Sequence, residues 1–228
     1  MERVFFYKGF YKSLNKIYKI YQTLFSYMIK IISFDMDNTL VNTRYDKEFW
    51  DVAIPKAYAA KYDVDLKRAQ EIVFKDYEEL LDKKHQDWFK PNFWYLKYKI
   101  TKEDVLKHML DIKNHVYEDV EDILKYLKGK YKLILVTHAV SEFIQLKLKD
   151  GLLKYFDKIY SCQDEPYSSY KDEDMYKLIL SELNVDPCEI CHIGDDIIFD
   201  KKVPESIGIK SILIDRKKGK GEIKSLVK

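Results

Sequence analysis

The sequence predicts an α/β protein: a doubly wound parallel-sheet core with an inserted α-helical cap. Short apolar runs recur at residues 29–35, 132–138, 158–163, 190–195 and 211–215, each ending on polar or charged residues. Amphipathic helical stretches lie between most of them, and strands alternating with helices form parallel sheets covered on both faces. One gap breaks the alternation. About 90 residues separate the first two runs, far more than one crossover needs, and they carry helical periodicity.

Taken in order, residues 1–28 form an amphipathic extension. Phe10, Leu14, Ile17, Tyr21, Leu24 and Met28 fall at alternating four- and three-residue steps, which make one helical stripe. Lysines interrupt it too often for a signal peptide, and no small-residue cleavage site follows. Three readings stay open: a helix that docks on a partner or an anionic membrane surface, a helix packed on the chain's own body, or an unneeded extension with Met28 as the working start. IKIISFD then opens the core at residues 29–43.

Residues 44–116 are read as the cap. Leu66, Ala69, Val73, Tyr77 and Leu80 mark one helix, and Thr101 with Asp104 makes a capping-box start for another, which carries Val105, Met109 and Ile112. Trp88, Phe89, Phe93, Trp94 and Tyr95 cluster between them and read as cap interior, with substrate contact the lesser alternative. His85, His108 and His115 show no pairing pattern and read as structural or solvated. The core resumes at 117–216. Its helices include Glu118–Lys128, with Val120, Ile123, Leu124 and Leu127 on one face before Gly129, and Asp174–Leu183, with Met175, Leu178, Ile179 and Leu183. Residues 217–228 form a basic tail.

The net charge of +2 is unevenly distributed. Residues 1–30 and 216–228 each carry six Lys/Arg against one acid, which leaves the middle of the chain acidic. Such a body does not suit nucleic acid. No run is long enough for stable membrane insertion. Three cysteines make a poor disulfide framework and favour a reducing, cytoplasmic setting. The glycine loops of dinucleotide and P-loop sites are missing, as is a GxSxG elbow. Composition is silent on oligomeric state.

The sharpest motif is FDMDNTLV, Phe34–Val41, where Asp35 and Asp37 follow an apolar strand. Thr137 ends the second strand, Lys171 opens KDEDMY, and GDDIIFD spans Gly194–Asp200. In this order and at these distances, residues 29–216 resemble the haloacid dehalogenase-like hydrolase superfamily, whose motifs are DxDx[TV], a strand-end Thr/Ser, a lysine and GDxxxxD. Val185-Asp186-Pro187 and Gly208 are similar to the lead-in and closing turn of that family. Two positions depart from its pattern: His138 stands where Asn is more usual, and Asp172 where Pro is common.

The resemblance implies a Rossmann-like core and a Mg²⁺-dependent phosphomonoesterase acting on a small phosphorylated metabolite. It implies Asp35 as nucleophile, forming an aspartyl-phosphate, and Asp37 as acid and then base. Thr137 and Lys171 would hold the phosphoryl group. Mg²⁺ would sit on the Asp35 and Asp195 carboxylates and the Asp37 carbonyl, with Asp200 and Asp196 in support. Within the family, Asp37 argues for phosphate esters over haloacids, because halide leaves without a proton. A phosphomutase or phosphotransferase shares all four motifs and is the nearest rival; a cap lysine forming a Schiff base for phosphonate cleavage is disfavoured. Two readings lie outside phosphoryl chemistry: a non-catalytic binding module that kept the fold, against which the intact Asp35, Asp37, Lys171 and Asp195 speak, and a c-type haem protein using Cys188, Cys191 and His192 of PCEICH. The second is disfavoured without an export signal.

Overall fold

The computed structural model describes residues 29–82, 90–109, 115–148, 151–164 and 170–216. The extension before residue 29, the basic tail, His85, Trp88, Phe89 and Ile112 therefore lie outside the described residues. Five strands form one all-parallel sheet: β1 (Ile31–Phe34), β2 (Lys132–Thr137), β3 (Lys158–Ser161), β4 (Ile190–Gly194) and β5 (Lys210–Leu213). Their order is β3-β2-β1-β4-β5. Each falls on one of the apolar runs seen in the sequence.

Between β1 and β2 runs a helical insertion. It comprises α1 (Arg44–Lys47), a π-helical stretch (Glu48–Ala53), α2 (Ile54–Tyr62), α3 (Leu66–Asp82), α4 (Pro91–Tyr98) and α5 (Lys102–Leu106). The core helices are α6 (Val120–Lys128) leading into β2, α7 (Ser141–Lys147) between β2 and β3, α8 (Glu173–Leu183) before β4, and α9 (Val203–Ser206) before β5. No helix among the described residues is long and apolar enough to cross a membrane.

Alternation along the strands divides the core in two. Ile32, Phe34, Leu133, Leu135, Cys191 and Ile193 pack on α6, α7 and the insertion. Ile31, Ile134, Val136 and Ile190 pack on Met175, Tyr176, Ile179 and Leu180 of α8. Ser33 and His192 face each other across β1 and β4, and their ring–hydroxyl contact of 2.8 Å is buried.

The insertion shares the first core. Phe49 stacks edge-on against Phe143 of α7 at 4.9 Å, and the Tyr95 hydroxyl donates to Glu142 at 3.3 Å. Trp94 is fully buried against Tyr77 and Tyr98, so the described aromatics of that cluster form the insertion's interior. Thr101 accepts from the Asp104 amide at 3.0 Å, and Asp104 accepts from the Thr101 amide at 3.0 Å. That reciprocal pair starts α5 as its sequence requires. His115 is buried with Nε2 2.8 Å from the Lys147 carbonyl, and His108 is partly buried at the end of α5.

The PCEICH segment resolves into a one-turn 3₁₀ helix, Pro187–Glu189, followed by β4. Cys191 enters the α6/α7 core, whereas the His192 ring points to the α8 face. Successive strand residues point apart, so Cys191 and His192 do not converge on one group. All three cysteines are free thiols.

Candidate active site

Three adjacent strands deliver the site. Phe34 is in register with both Leu135 and Ile193, so Asp35, Thr137 and Asp195 leave neighbouring carboxyl ends together. The chain runs from β1 toward β2 on one side and β4 on the other, and such a switch point opens a crevice at that edge. The Asp35 amide donates to the Ile193 carbonyl at 2.8 Å, which fixes the point where the strand ends.

Beyond Asp35 the chain turns sharply. The amides of Thr39, Leu40 and Val41 all point to the Met36 carbonyl, at 3.3, 2.8 and 3.0 Å. The turn needs a left-handed residue at Asn38, φ 55°, and Asn is among the few side chains that accept this. From outside, the Arg216 guanidinium donates to the Thr39 carbonyl at 3.1 and 2.6 Å. Its other nitrogen pairs with Asp119 at 2.8 Å, and its central carbon lies 4.2 Å from the centroid of the Tyr117 ring.

A buried charge cluster fills the α8 side of the site. Lys171, 1% exposed, places Nζ 2.5 Å from Asp35 and 2.6 Å from Asp200. Asp200 Oδ1 also meets His192 Nε2 at 3.0 Å, and Oδ2 accepts from the Asp196 amide at 2.9 Å. Both oxygens of Asp200 are thus engaged by protein donors. Gly194 makes this possible: any side chain there would occupy the space of the Asp200 carboxylate.

The electrostatics follow from burial and pairing. Burial pushes the Asp35 carboxyl up; Lys171 pulls it down and Asp200 and Asp37 push it up again, with a net rise. Burial works against the Lys171 ammonium, but Asp35 and Asp200 outweigh it and hold that group above its ordinary value. Burial likewise opposes charge on Asp200, yet the His192 hydrogen bond and Lys171 keep it below the usual carboxylate range. His192 is shifted down by burial. As a neutral ring it donates from Nε2 to Asp200 and accepts from Ser33 at Nδ1.

Asp195 is half-buried, and burial followed by the nearby Asp200 charge pushes its carboxyl up to about 6. Single carboxylate oxygens of Asp35, Asp195 and Asp200 lie within 4.8 Å of one another. This all-oxygen donor set suits a hard divalent cation such as Mg²⁺. Asp196, a supporting residue in the resemblance, accepts from the amides of Ile198 and Phe199 at 2.7 and 2.8 Å. It caps the π-helical stretch Ile197–Lys202.

Both unusual residues have local tasks. His138 Nε2 accepts from the Lys171 amide at 3.1 Å, and its ring lies 4.8 Å from Phe199. Burial, then the Lys171 charge, lowers its pKa to about 4, in keeping with an accepting, neutral ring. Asp172 accepts from the Met175 amide at 3.0 Å and so caps α8. Thr137 is buried, and its hydroxyl accepts from the Ala139 amide at 3.1 Å.

Asp37 stands apart from the cluster. Its side chain is 38% exposed, and its Oδ1 lies 2.7 Å from the Nζ of Lys147, itself 1% exposed. Lys147 also pairs with Asp46 of α1 at 2.8 Å. Lys147 and Arg216 were not visible as site residues in the sequence. A lysine ending an amphipathic helix and an arginine at the head of a basic tail both read as solvated, and no local spacing signals otherwise.

The model of the haloacid dehalogenase-like hydrolases matches residues 29–206. The chain is a haloacid dehalogenase-like hydrolase. Among solved structures it is similar to an HAD phosphatase from Thermococcus onnurineus, with 26% identity over 83% of this chain and 87% of that one, TM-score 0.65. A haloacid dehalogenase-like family hydrolase from Streptococcus pneumoniae shares 22% identity over 88% and 90%, TM-score 0.54. A 2-haloacid dehalogenase from Pseudomonas syringae shares 20% over 82% and 86%, TM-score 0.56. The latter two likenesses speak for the fold alone. Comparison with curated proteins returns no match.

Proposed function

We propose that this haloacid dehalogenase-like hydrolase is a Mg²⁺-dependent phosphomonoesterase for a small phosphorylated metabolite. The observation that carries the reading is Asp37. A second carboxylate stands two residues beyond Asp35, outside the Lys171 cluster and partly open to solvent. Displacing halide needs no such acid; expelling an alkoxide does.

Asp35 attacks phosphorus from its carboxylate, and a P–O bond to Asp35 forms as the bond to the leaving oxygen breaks. Asp37 gives its proton to that oxygen. In the second half it takes a proton from the attacking water, and phosphate leaves with the Asp35 carboxylate restored. Lys171 counters the charge of Asp35 and of the phosphoryl group, and the Thr137 hydroxyl donates to a phosphoryl oxygen. Asp200, held by His192 and the Asp196 amide, keeps Lys171 aimed at Asp35. The carboxylates of Asp35 and Asp195 and the Asp37 carbonyl would hold Mg²⁺, which supplies charge neutralisation between two anions. The helical insertion would act as a cap over the crevice, favouring small substrates over macromolecules.

The test is phosphate release from a panel of phosphorylated metabolites, run with Mg²⁺ and with a chelator. Release should require the metal and vanish in Asp35→Asn; activity that survives this substitution rejects the mechanism. Transfer of phosphate between two positions of a sugar, in place of release to water, would establish the phosphomutase alternative.

A further inference from the structure

Lys147 is a fully buried ammonium with no part in the reaction as described above. It ends α7, ten residues after Thr137, and its Nζ reaches two carboxylates from different parts of the fold. Asp37 Oδ1 lies 2.7 Å away on the β1 turn. Asp46 Oδ2 lies 2.8 Å away on α1, the first helix of the insertion. The Phe143 ring covers it, with its centroid at 5.2 Å. The Lys147 carbonyl is held by His115 Nε2 at 2.8 Å, and the His115 ring packs against Tyr45 of α1 at 5.4 Å. Both ends of this residue are therefore gripped by α1 or by a ring lying on it.

A buried ammonium is retained only where carboxylates offset its desolvation. Here the two partners are Asp37, the acid and base of the reading above, and a residue of the insertion. We infer that Lys147 is a positioning residue for Asp37: it fixes Oδ1, leaves Oδ2 to carry the proton toward the leaving oxygen, and through Asp46 makes that placement depend on the seated insertion. The inference rests on the phosphomonoesterase reading.

A role in placing the acid should matter in proportion to how much the leaving group needs a proton. The experiment measures kcat/KM, which reports only the half that expels the leaving group, for phenyl phosphate and 2,4-dinitrophenyl phosphate, two aryl esters whose leaving groups differ greatly in basicity. Wild type, Lys147→Gln and Asp46→Asn are compared, with folding checked by circular dichroism and thermal melting. Lys147→Gln should lose roughly 100-fold in kcat/KM on phenyl phosphate, the scale of a displaced general acid, and less than about 3-fold on the dinitrophenyl ester. Asp46→Asn keeps the Lys147–Asp37 pair and should show a smaller loss with the same preference, roughly 10-fold.

Equal losses of kcat/KM on both esters in folded protein would make Lys147 merely structural and overturn the inference. If Lys147→Gln does not fold, Asp46→Asn decides by the same comparison. Wild-type protein that hydrolyses neither ester nor any metabolite would overturn the phosphomonoesterase reading itself, and the role of Lys147 with it. That outcome is distinct from an active wild type with unselective variants.

Discussion

At the scale of residues, the site holds two carboxylates that differ in how they are kept. Asp35 lies in a closed chain of partners, Lys171, Asp200, His192 and Ser33, all buried. Asp37 has one buried lysine and an open side. Asp35, Lys171 and Asp200 were legible because each ends a strand or sits at a fixed motif offset. His192 and Ser33 were legible only as strand residues, since their pairing depends on register between β1 and β4. His138 offers a test of that local chemistry. Unfolded, its ring takes up a proton near the ordinary value of about 6.5; folded, it resists protonation down to about 4. Between these values the unfolded chain binds more protons, so stability falls as pH drops through that window. His138→Asn removes the effect. From pH 7 to pH 4.5 the wild type should lose on the order of 1–2 kcal/mol more than the variant, allowing for solvent at the edge of the ring. Urea melts at the two pH values measure the difference, and parallel losses would contradict the assignment.

At the scale of elements, helix starts are set by side chains that the sequence displays. Thr101 and Asp104 cap α5, and Asp172, in place of proline, caps α8. Thr101→Ala should cost about 1 kcal/mol and Asp172→Ala a similar amount, typical of a lost N-cap. Chemical denaturation reads both, and an unchanged midpoint for either would mean that the cap is dispensable. The strands were legible from apolar runs ending in polar residues. The path from Arg44 to Tyr62 was not. There α1 passes through the π-helical stretch Glu48–Ala53 into α2, and Phe49 and Ala53 are buried on it. A wider turn shifts which residues share a face, so counting at 3.6 residues per turn misplaces them. The anchoring of α1 by Asp46 was hidden because its partner, Lys147, lies 101 positions away.

At the scale of the whole molecule, the strand order places β1 between β2 and β4, which brings four distant motifs to one edge. Parallel strands and crossovers were legible as alternation; the strand order that creates the crevice was not, since no local pattern records which strand neighbours which. The oxygen cluster at that edge predicts a measurable response to metal. Mg²⁺ at about a hundred times its Kd should add about 2.7 kcal/mol of stability. For a chain of this size that raises Tm by roughly 5–10 °C. Chelator should reverse the rise, and Asp195→Asn should abolish it; a Tm indifferent to Mg²⁺ would reject the metal site. The fold also imposes an order in time. The Thr39 carbonyl, at the turn that carries Asp37, is held by a guanidinium 177 positions later in the chain. At ordinary rates of synthesis the turn emerges roughly 10–35 s before its clamp exists. Every motif residue of the site is by then already made, Asp200 included. A ribosome stalled before Arg216 would thus hold a chain in which every reacting group has been made but the turn lacks its clamp. The turn that carries Asp37 gains its clamp only when that one arginine arrives.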